Sequence, residues 1–298
     1  MPARSYDLIA IDLDGTLLPP GGKIGARTRG AIDRAREAGY VVTICTGRGL
    51  LESMDALSQI EQRDPVVVAG GSMVACPVTR RTLARTPVDP EIVGASVERF
   101  LAHGHAALVF KDSSDTAYDY LVVTGEPQRA LDPVTLWWFA KMCVRVRFVE
   151  RLDQDEHPGH TLRVGACGVG GRLRSAMIEV KEKLGPRAMI HQFPAVSAPE
   201  HLSKLPQGES LHIVEVFDAR ATKWTALQHV LSERGIDASR VVAIGDEIND
   251  LDMITHAGLG VAMGNAIPTI KDAAKRHAPA NHDEGVAYAI ERVLDGQW

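Results

Sequence analysis

Four short runs of branched apolar residues set the architecture of this chain: LIAI at 8–11, YVVTIC at 40–45, VVVAG at 66–70 and VVAIG at 241–245. Each is apolar nearly throughout, so each reads as a strand buried on both faces, as in a parallel sheet covered by helices. Helical stretches at 25–38 and 54–60 separate the first three runs, and Gly39 supplies a stop for the first helix. Strands alternating with helices predict right-handed crossovers and a doubly wound, Rossmann-like α/β sheet. The pattern resumes near the end of the chain. A helix is expected at 222–234, a strand at 241–245, a short strand and turn in LGVAMGNA, and a closing helix at 285–294.

The middle of the chain breaks this rhythm. Between 87 and 208, VERFLAHG ends a helix before HAALVFKD, and the strand-like TLRVGACGV precedes the helical LRSAMIEVKEKLG and then RAMIHQF. This mixed order predicts an α+β domain, 87–208, inserted into a sheet domain made of 1–86 and 209–298. Pro-rich stretches, TPVDP and FPAVSAPEHLSKLPQG, mark the two junctions. A chain of 298 residues can bury a sizeable core, and 45% hydrophobic with 24% charged residues suits a soluble globular protein. The formal net charge of -5 argues against a broad nucleic-acid footprint but leaves room for a local basic pocket. The four cysteines (45, 76, 143 and 167) form no CxxC pair, which fits a reduced, cytoplasmic setting. No apolar run reaches transmembrane length, and the N-terminus lacks the apolar stretch of a signal peptide.

The chemistry concentrates where strands end. The first strand runs into Asp12, Leu13, Asp14, Gly15 and Thr16. Side chains two apart on a strand face the same way, and ligands bind at the carboxyl edge of open α/β sheets. Two carboxylates held that close need a cation or a shared proton between them. Oxygen ligands suit Mg²⁺, which is held by a few carboxylates together with substrate phosphate. The strand at 241–245 runs into GDEINDLDM, so Asp246 and Asp250 arrive at the same edge. Thr46 and Gly47, in CTGR, follow another strand and offer a hydroxyl and backbone N–H groups to phosphate oxygens. Lys223 opens a helix after the strand LHIVEV and supplies a fixed positive charge. Four strand ends thus bring acid ligands and anion donors together, which suits attack by a carboxylate on phosphorus.

In this order, DLDGTLL, TGR, a lone lysine before a helix and GDEINDLDM resemble the haloacid dehalogenase superfamily. The tail GLGVAMGNAIPTIKDAAKRHAPANHDEGVAYAIERVL is similar to its Cof-type phosphatases, whose inserted cap is of class IIB. The resemblance covers about 6–86 and 211–294 and implies residue roles. Asp12 matches the nucleophile and a Mg²⁺ ligand. Asp14 matches the general acid/base, with its backbone carbonyl on the metal. Asp246 matches the third protein ligand. Leu13 through its backbone, Thr46, Gly47, Lys223 and Asn249 match phosphate contacts, and Asp250 supports Lys223 or the metal's water shell. Gly15 and Thr16 shape the turn. The aspartate at position 14 points to the phosphatase and phosphomutase branch. One departure is Gly70, which stands where the family commonly has asparagine. The implied activity is Mg²⁺-dependent hydrolysis of a small phosphomonoester, a sugar phosphate first, with the inserted domain as a specificity cap. A phosphomutase or a non-catalytic phospho-ligand sensor is the alternative, and a monomer or homodimer without nucleic-acid or membrane partners is expected.

Other signals point to structure. GACGVGGR does not match GxGxxG and reads as a strand-to-helix turn. Arg48 suits either a substrate contact or an ion pair. Of Trp137 and Trp138, at least one is expected in a core. His157, His160, His191 and His201 lack metal-ligand spacing, and Arg163 and Lys204 are candidate anion contacts. The charged IKDAAKRHA reads as a solvated helix.

Overall fold

The computed structural model describes residues 4–195 and 211–298. The chain divides into two compact units, Met1–Arg85 with Thr222–Trp298, and Thr86–Ala221. The first stretch alternates as the apolar runs require: β1 (Leu8–Asp12), α1 (Ala26–Glu37), β2 (Val41–Cys45), α2 (Leu50–Gln59) and β3 (Val66–Val68). Every residue of β1 is buried, as are the last four of β2. The second helix starts four residues earlier than its apolar pattern suggests. The Glu52 carboxylate accepts the Gly49 N–H at 2.6 Å and holds the first turn closed. The third strand stops at Val68, because Ala69–Gly71 form a 3-10 turn. A hairpin follows, β4 (Met73–Ala75) pairing antiparallel with β3 and β5 (Thr82–Arg85) antiparallel with β4.

The second unit contains α3 (Pro90–Ala102), β6 (Ala107–Lys111), β7 (Tyr120–Val123), α4 (Pro133–Lys141), β8 (Val146–Val149), β9 (Thr161–Val169), α5 (Gly170–Leu184), β10 (Ala188–Pro194) and β11 (Leu211–Asp218). Asp89 and Asp132 cap α3 and α4, each just before a proline at the first helical position. The six strands lie in the order β10-β11-β9-β6-β7-β8, antiparallel except for β7 with β8. Phe100 of α3 and Leu173, Ala176 and Val180 of α5 share a core with Val109, Val164, Val214 and Val216 of the sheet. On β9, Val164 and Ala166 belong to that core, as period-two alternation requires. A smaller cluster gathers Leu108, Tyr120, Val122 and Phe139, with Trp138 packed against it. Trp138 is therefore the core tryptophan, whereas Trp137 lies under the Lys141 ammonium, 4.8 Å from its ring centroid.

The first unit resumes with α6 (Lys223–Arg234), β12 (Val241–Gly245), α7 (Leu251–His256), β13 (Leu259–Ala262), α8 (Pro268–Ala273), β14 (Arg276–His277) and α9 (Gly285–Leu294). Its sheet order is β14-β13-β12-β1-β2-β3-β4-β5, parallel from β14 to β3. The chain order runs outward in both directions from β1 and β12, so the switch point of this doubly wound sheet lies between them. The charged IKDAAKRHA segment is helical only to Ala273, and its Arg276 and His277 pair as a strand with Val261 and Ala262.

One junction differs from the expected division. The LHIVEV strand, assigned to the sheet domain by a return at residue 209, is β11. It pairs with β9 and β10 in the second unit's sheet, and the chain returns to the first unit only at Thr222. A strand followed by a helix reads alike in either sheet, because its hydrogen-bond partners are not written in its own residues. GACGVGGR closes β9 and opens α5, a strand-to-helix turn as expected. His201, Lys204 and most of the second Pro-rich stretch lie outside the described residues. Among the described residues, no helix is long and apolar enough to cross a membrane.

Candidate active site

The carboxyl ends of β1, β2 and β12 meet at the switch point. Asp12, the last residue of β1, is buried to 4% exposure. Beyond it the chain turns back on itself, with the Leu17 and Leu18 N–H groups donating to the Asp12 and Leu13 carbonyls. Gly15 makes that turn at φ +78°, a left-handed conformation that glycine adopts freely. A Cβ at this position would lie 2.2 Å from Asp246 Oδ2. The glycine of DLDGT therefore serves both the turn and the approach of a carboxylate from β12. Thr16 completes the junction by donating its hydroxyl to Asp246 Oδ1 at 2.7 Å.

Asp250 organises the loop after β12. Its Oδ2 accepts the backbone N–H groups of Asp246 at 2.9 Å and Glu247 at 3.1 Å. Its Oδ1 accepts from Lys223 Nζ at 2.7 Å, and the same ammonium reaches Asp12 Oδ1 at 2.5 Å. Lys223 is 1% exposed and is the first residue of α6, whose Thr222 hydroxyl accepts the Thr225 N–H. Gly71 lets that helix start where it does, since a Cβ there would fall 2.1 Å from the Thr222 carbonyl oxygen. The neighbouring Gly70 sits at φ 67°, ψ 8°. Glycine adopts this left-handed conformation freely, and asparagine, the residue that the resemblance leads one to expect here, also tolerates it.

Carboxylate oxygens of Asp12, Asp246 and Asp250 lie within 4.8 Å of one another. Three carboxylates against one ammonium leave a formal excess of two negative charges. Burial and its acidic neighbours push the Asp12 carboxyl well above the usual range, against the pull of Lys223. Burial also raises Asp246 to about 6, opposed by the Thr16 hydrogen bond. Burial pulls the Lys223 ammonium down, but Asp12 and Asp250 outweigh it and hold the group protonated. A divalent cation carries the charge this cluster lacks, and an all-oxygen donor set suits a hard ion. Asp250 gives one oxygen to the Lys223 ammonium and the other to two backbone N–H groups, whereas the Asp246 oxygens meet neutral side-chain donors, so Asp12 and Asp246 are the carboxylates better suited to hold it.

The remaining predicted residues are placed unequally. Thr46, 1% exposed, follows β2 and accepts the Arg48 N–H at 3.1 Å. Gly47 comes next, with open space where a side chain would stand. Asn249 lies in the 3-10 turn after β12, and its Oδ1 is buried with no partner among the described residues. Leu13 is fully buried behind Asp12. Asp14 is the exception to the convergence. Its carboxylate is half exposed, and Arg48 holds it in a two-pronged ion pair, Nη2 to Oδ1 at 2.5 Å and Nε to Oδ2 at 2.8 Å. Of the two readings of Arg48, the structure shows the ion pair. In the second unit, Arg163 is engaged by Glu215 at 3.0 Å and by the Tyr120 hydroxyl, and lies over the Phe110 ring. His157 packs on Tyr118, His160 faces Asp115, and His191 packs on Phe217.

Sequence reasoning missed Asn265. It follows β13 in LGVAMGNA and donates its side-chain amide to the Gly15 carbonyl at 2.8 Å and to Asp246 Oδ2 at 3.3 Å. The strand-end logic that found the other residues applies to it, because β13 is a neighbour of β12.

A parallel sheet with buried carboxylates and a lysine at its switch point defines an α/β enzyme with an acidic centre. The family description of the haloacid dehalogenase-like hydrolases matches residues 9–131 and 199–290. The chain belongs to that family and to its phosphatases. It is 29% identical over 306 residues to 5-amino-6-(5-phospho-D-ribitylamino)uracil phosphatase YwtE of Bacillus subtilis, covering 97% of this chain and 99% of the relative. It is 27% identical to an HMP-PP phosphatase of Klebsiella pneumoniae, covering 89% and 86% of the two chains. The crystal structure of a haloacid dehalogenase-like hydrolase from Bacteroides thetaiotaomicron shares the fold, with a TM-score of 0.73, 24% identity and coverage of 97% and 99%.

Proposed function

We propose that this enzyme is a Mg²⁺-dependent phosphatase that hydrolyses a small phosphomonoester through a phospho-aspartate on Asp12. The observation that carries the proposal is the buried Asp12 carboxylate, bound at 2.5 Å by Lys223 with Asp246 and Asp250 beside it. Asp12, Asp246 and the backbone carbonyl of Asp14 would hold the cation, which neutralises charge so that a carboxylate can approach a phosphate dianion. Lys223 contributes a second, fixed positive charge. The Thr46 hydroxyl, the backbone at Leu13 and Gly47, and the Asn249 amide hold phosphoryl oxygens.

In the first step an Asp12 oxygen attacks phosphorus and the ester P–O bond breaks. Asp14 gives its proton to the departing oxygen. In the second step water attacks the phosphorus of phospho-Asp12 and passes a proton to Asp14. The bond to Asp12 breaks and inorganic phosphate leaves. The Arg48 ion pair holds Asp14 outward and opens before Asp14 serves. The unit 86–221 is the specificity domain that recognises the leaving group, and sugar phosphates are the leading substrate class. The names of the curated relatives add phosphorylated ribityl and pyrimidine compounds to the candidates.

The test is phosphate release across a panel of sugar phosphates and 5-amino-6-(5-phospho-D-ribitylamino)uracil, with Mg²⁺ and with chelator. Mg²⁺-dependent release on a related group of compounds is expected. Equal rates in chelator, or full turnover by a folded Asp12→Ala variant, would overturn the proposal. An isomerised sugar phosphate in place of free phosphate would make the enzyme a mutase.

A further inference from the structure

Asn265 lies in a hydrogen-bonded chain that ends on a carboxylate. Asn281 donates its side-chain amide to the Leu18 carbonyl at 2.9 Å and its backbone N–H to Asn265 Oδ1 at 2.9 Å. Asn265 in turn donates to the Gly15 carbonyl and to Asp246 Oδ2. One amide therefore ties together the turn after β1, the end of β12 and the loop before α9. The Asn281 N–H fixes the amide's orientation, so its NH₂ faces Asp246 and its oxygen faces away. Thr16 occupies the other Asp246 oxygen. The backbone is pinned alongside, with the Met263 N–H donating to the Gly245 carbonyl and the Ile267 N–H to the Asp246 carbonyl.

We propose that Asn265 is a positioning residue that, with Thr16, fixes the Asp246 carboxylate for a divalent cation. The inference rests on the reading of Asp246 as a cation ligand. The arrangement suits the task for two reasons. Both partners are neutral donors, so they orient the carboxylate without cancelling the charge that attracts a cation. Each also leaves lone pairs on its oxygen, since a carboxylate oxygen accepts more than one contact. The Gly15 turn is tied to the same amide, so the Asp12–Thr16 segment and Asp246 hold their spacing together.

The experiment measures Mn²⁺ affinity directly, by calorimetry and by electron paramagnetic resonance of free Mn²⁺, on the full chain. The proteins are the wild type, Asp246→Ala, Asn265→Ala, Thr16→Val and the double variant Asn265→Ala/Thr16→Val. Groups that orient metal ligands change affinity by roughly 10- to 100-fold when removed. Asn265→Ala is expected to weaken Mn²⁺ binding roughly 10-fold, with kcat largely recovered at saturating metal and the unfolding midpoint in chelator unchanged. The double variant is expected to lose more than either single change. Affinity unchanged in Asn265→Ala, while Asp246→Ala abolishes binding, would overturn the inference alone. A loss of affinity matched by equal destabilisation of the chelated protein would also overturn it, because the role would then be structural. Absence of Mn²⁺ binding by the wild type, or binding unaffected by Asp246→Ala, would overturn the cation reading and the inference together.

Discussion

Each unit of this protein buries a lysine, and the two lysines do opposite things. Lys111, at the end of β6, is 1% exposed and gives its ammonium to Asp155 at 2.5 Å, the Thr161 hydroxyl at 2.8 Å and the His157 carbonyl at 3.0 Å. One positive charge meets one negative charge and two neutral acceptors, so the pair is balanced. Burial lowers the Lys111 ammonium, and Asp155 opposes that only in part. Lys223 has the same depth but faces two carboxylates with a third nearby, and its proton is held more tightly than usual. Balanced charge fastens a loop. Unbalanced charge at the same depth attracts something positive, which is the physical basis for proposing a cation at the acidic centre. Burial alone does not distinguish the two lysines; the count of neighbouring charges does.

The largest test of this contrast compares the two aspartate partners. Asp12→Asn is expected to lower turnover by about 10⁴-fold or more, since the proposed covalent route needs its carboxylate as the nucleophile. Its urea midpoint in chelator should be unchanged or higher, because the cluster sheds one crowded charge. Asp155→Ala should do the reverse. It strands Lys111 without a counter-charge and is expected to cost about 3–5 kcal/mol in urea unfolding, with turnover per folded molecule intact. Comparable losses of activity in the two variants would erase the distinction.

Apolar replacement of both partners separates the lysines next. The variant Lys111→Met/Asp155→Leu is expected to lie within about 2 kcal/mol of the wild type, in either direction, because buried pairs often break even against apolar groups of similar size. It should keep its turnover, measured on the best compound of the panel. Lys223→Met, which removes only the cation and leaves Asp12 and Asp250 buried without it, is expected to lose both phosphate release and stability in urea unfolding.

The pH dependence is a smaller effect with a defined sign. Asp246 has an ordinary carboxylate value near 3.8 when unfolded and about 6 when folded. The folded form therefore binds this proton more tightly. The stability it contributes is present below about pH 4 and is lost as pH rises through about 6. In chelator, the urea midpoint of the wild type relative to Asp246→Asn should fall between pH 4 and pH 7. Saturating Mg²⁺ should weaken or invert that trend, since the cation competes with the proton. An unchanged difference between the two proteins across this range would count against burial as the cause.

The smallest effect is expected at Arg48. Its pair with Asp14 is about half exposed, and such pairs contribute roughly 0–1 kcal/mol. Arg48→Ala should shift the unfolding midpoint little while changing turnover, through Asp14, in a phosphate-release assay. A stability loss as large as that of Asp155→Ala would mean that the exposed pair is a structural fastener after all.

Much of the first unit is legible because its signals are local. The largely apolar runs of β1, β2 and β12 announce strands with both faces covered; Asp12 closes β1, Asp246 follows β12 directly, and Asp250 comes four residues later. The final helix, Gly285–Leu294, has the bounds its pattern predicts, and its apolar residues Val286, Ala289, Ile290 and Val293 are buried. The second unit is less legible. Leu211–Asp218 looks like a strand of the first sheet from its neighbours in the sequence, and only its pairing with β9 and β10 assigns it elsewhere. Asn265 escaped notice because an asparagine after a short strand is also an ordinary turn residue.

The sequence by itself determined where carboxylates, hydroxyls and the lysine fall relative to strand ends, because periodicity and turn chemistry act over a few residues. Tertiary structure decided which of them meet. Lys223 and Asp12 are 211 positions apart, and Thr16 and Asp246 are 230 apart. It also turned the Asp14 side chain to Arg48, fixed Asp250 as the support for Lys223 and put Asn265 against Asp246. Hydrogen bonds of this kind form only after the strands have paired, and strand pairing is a choice among distant partners that no local pattern encodes.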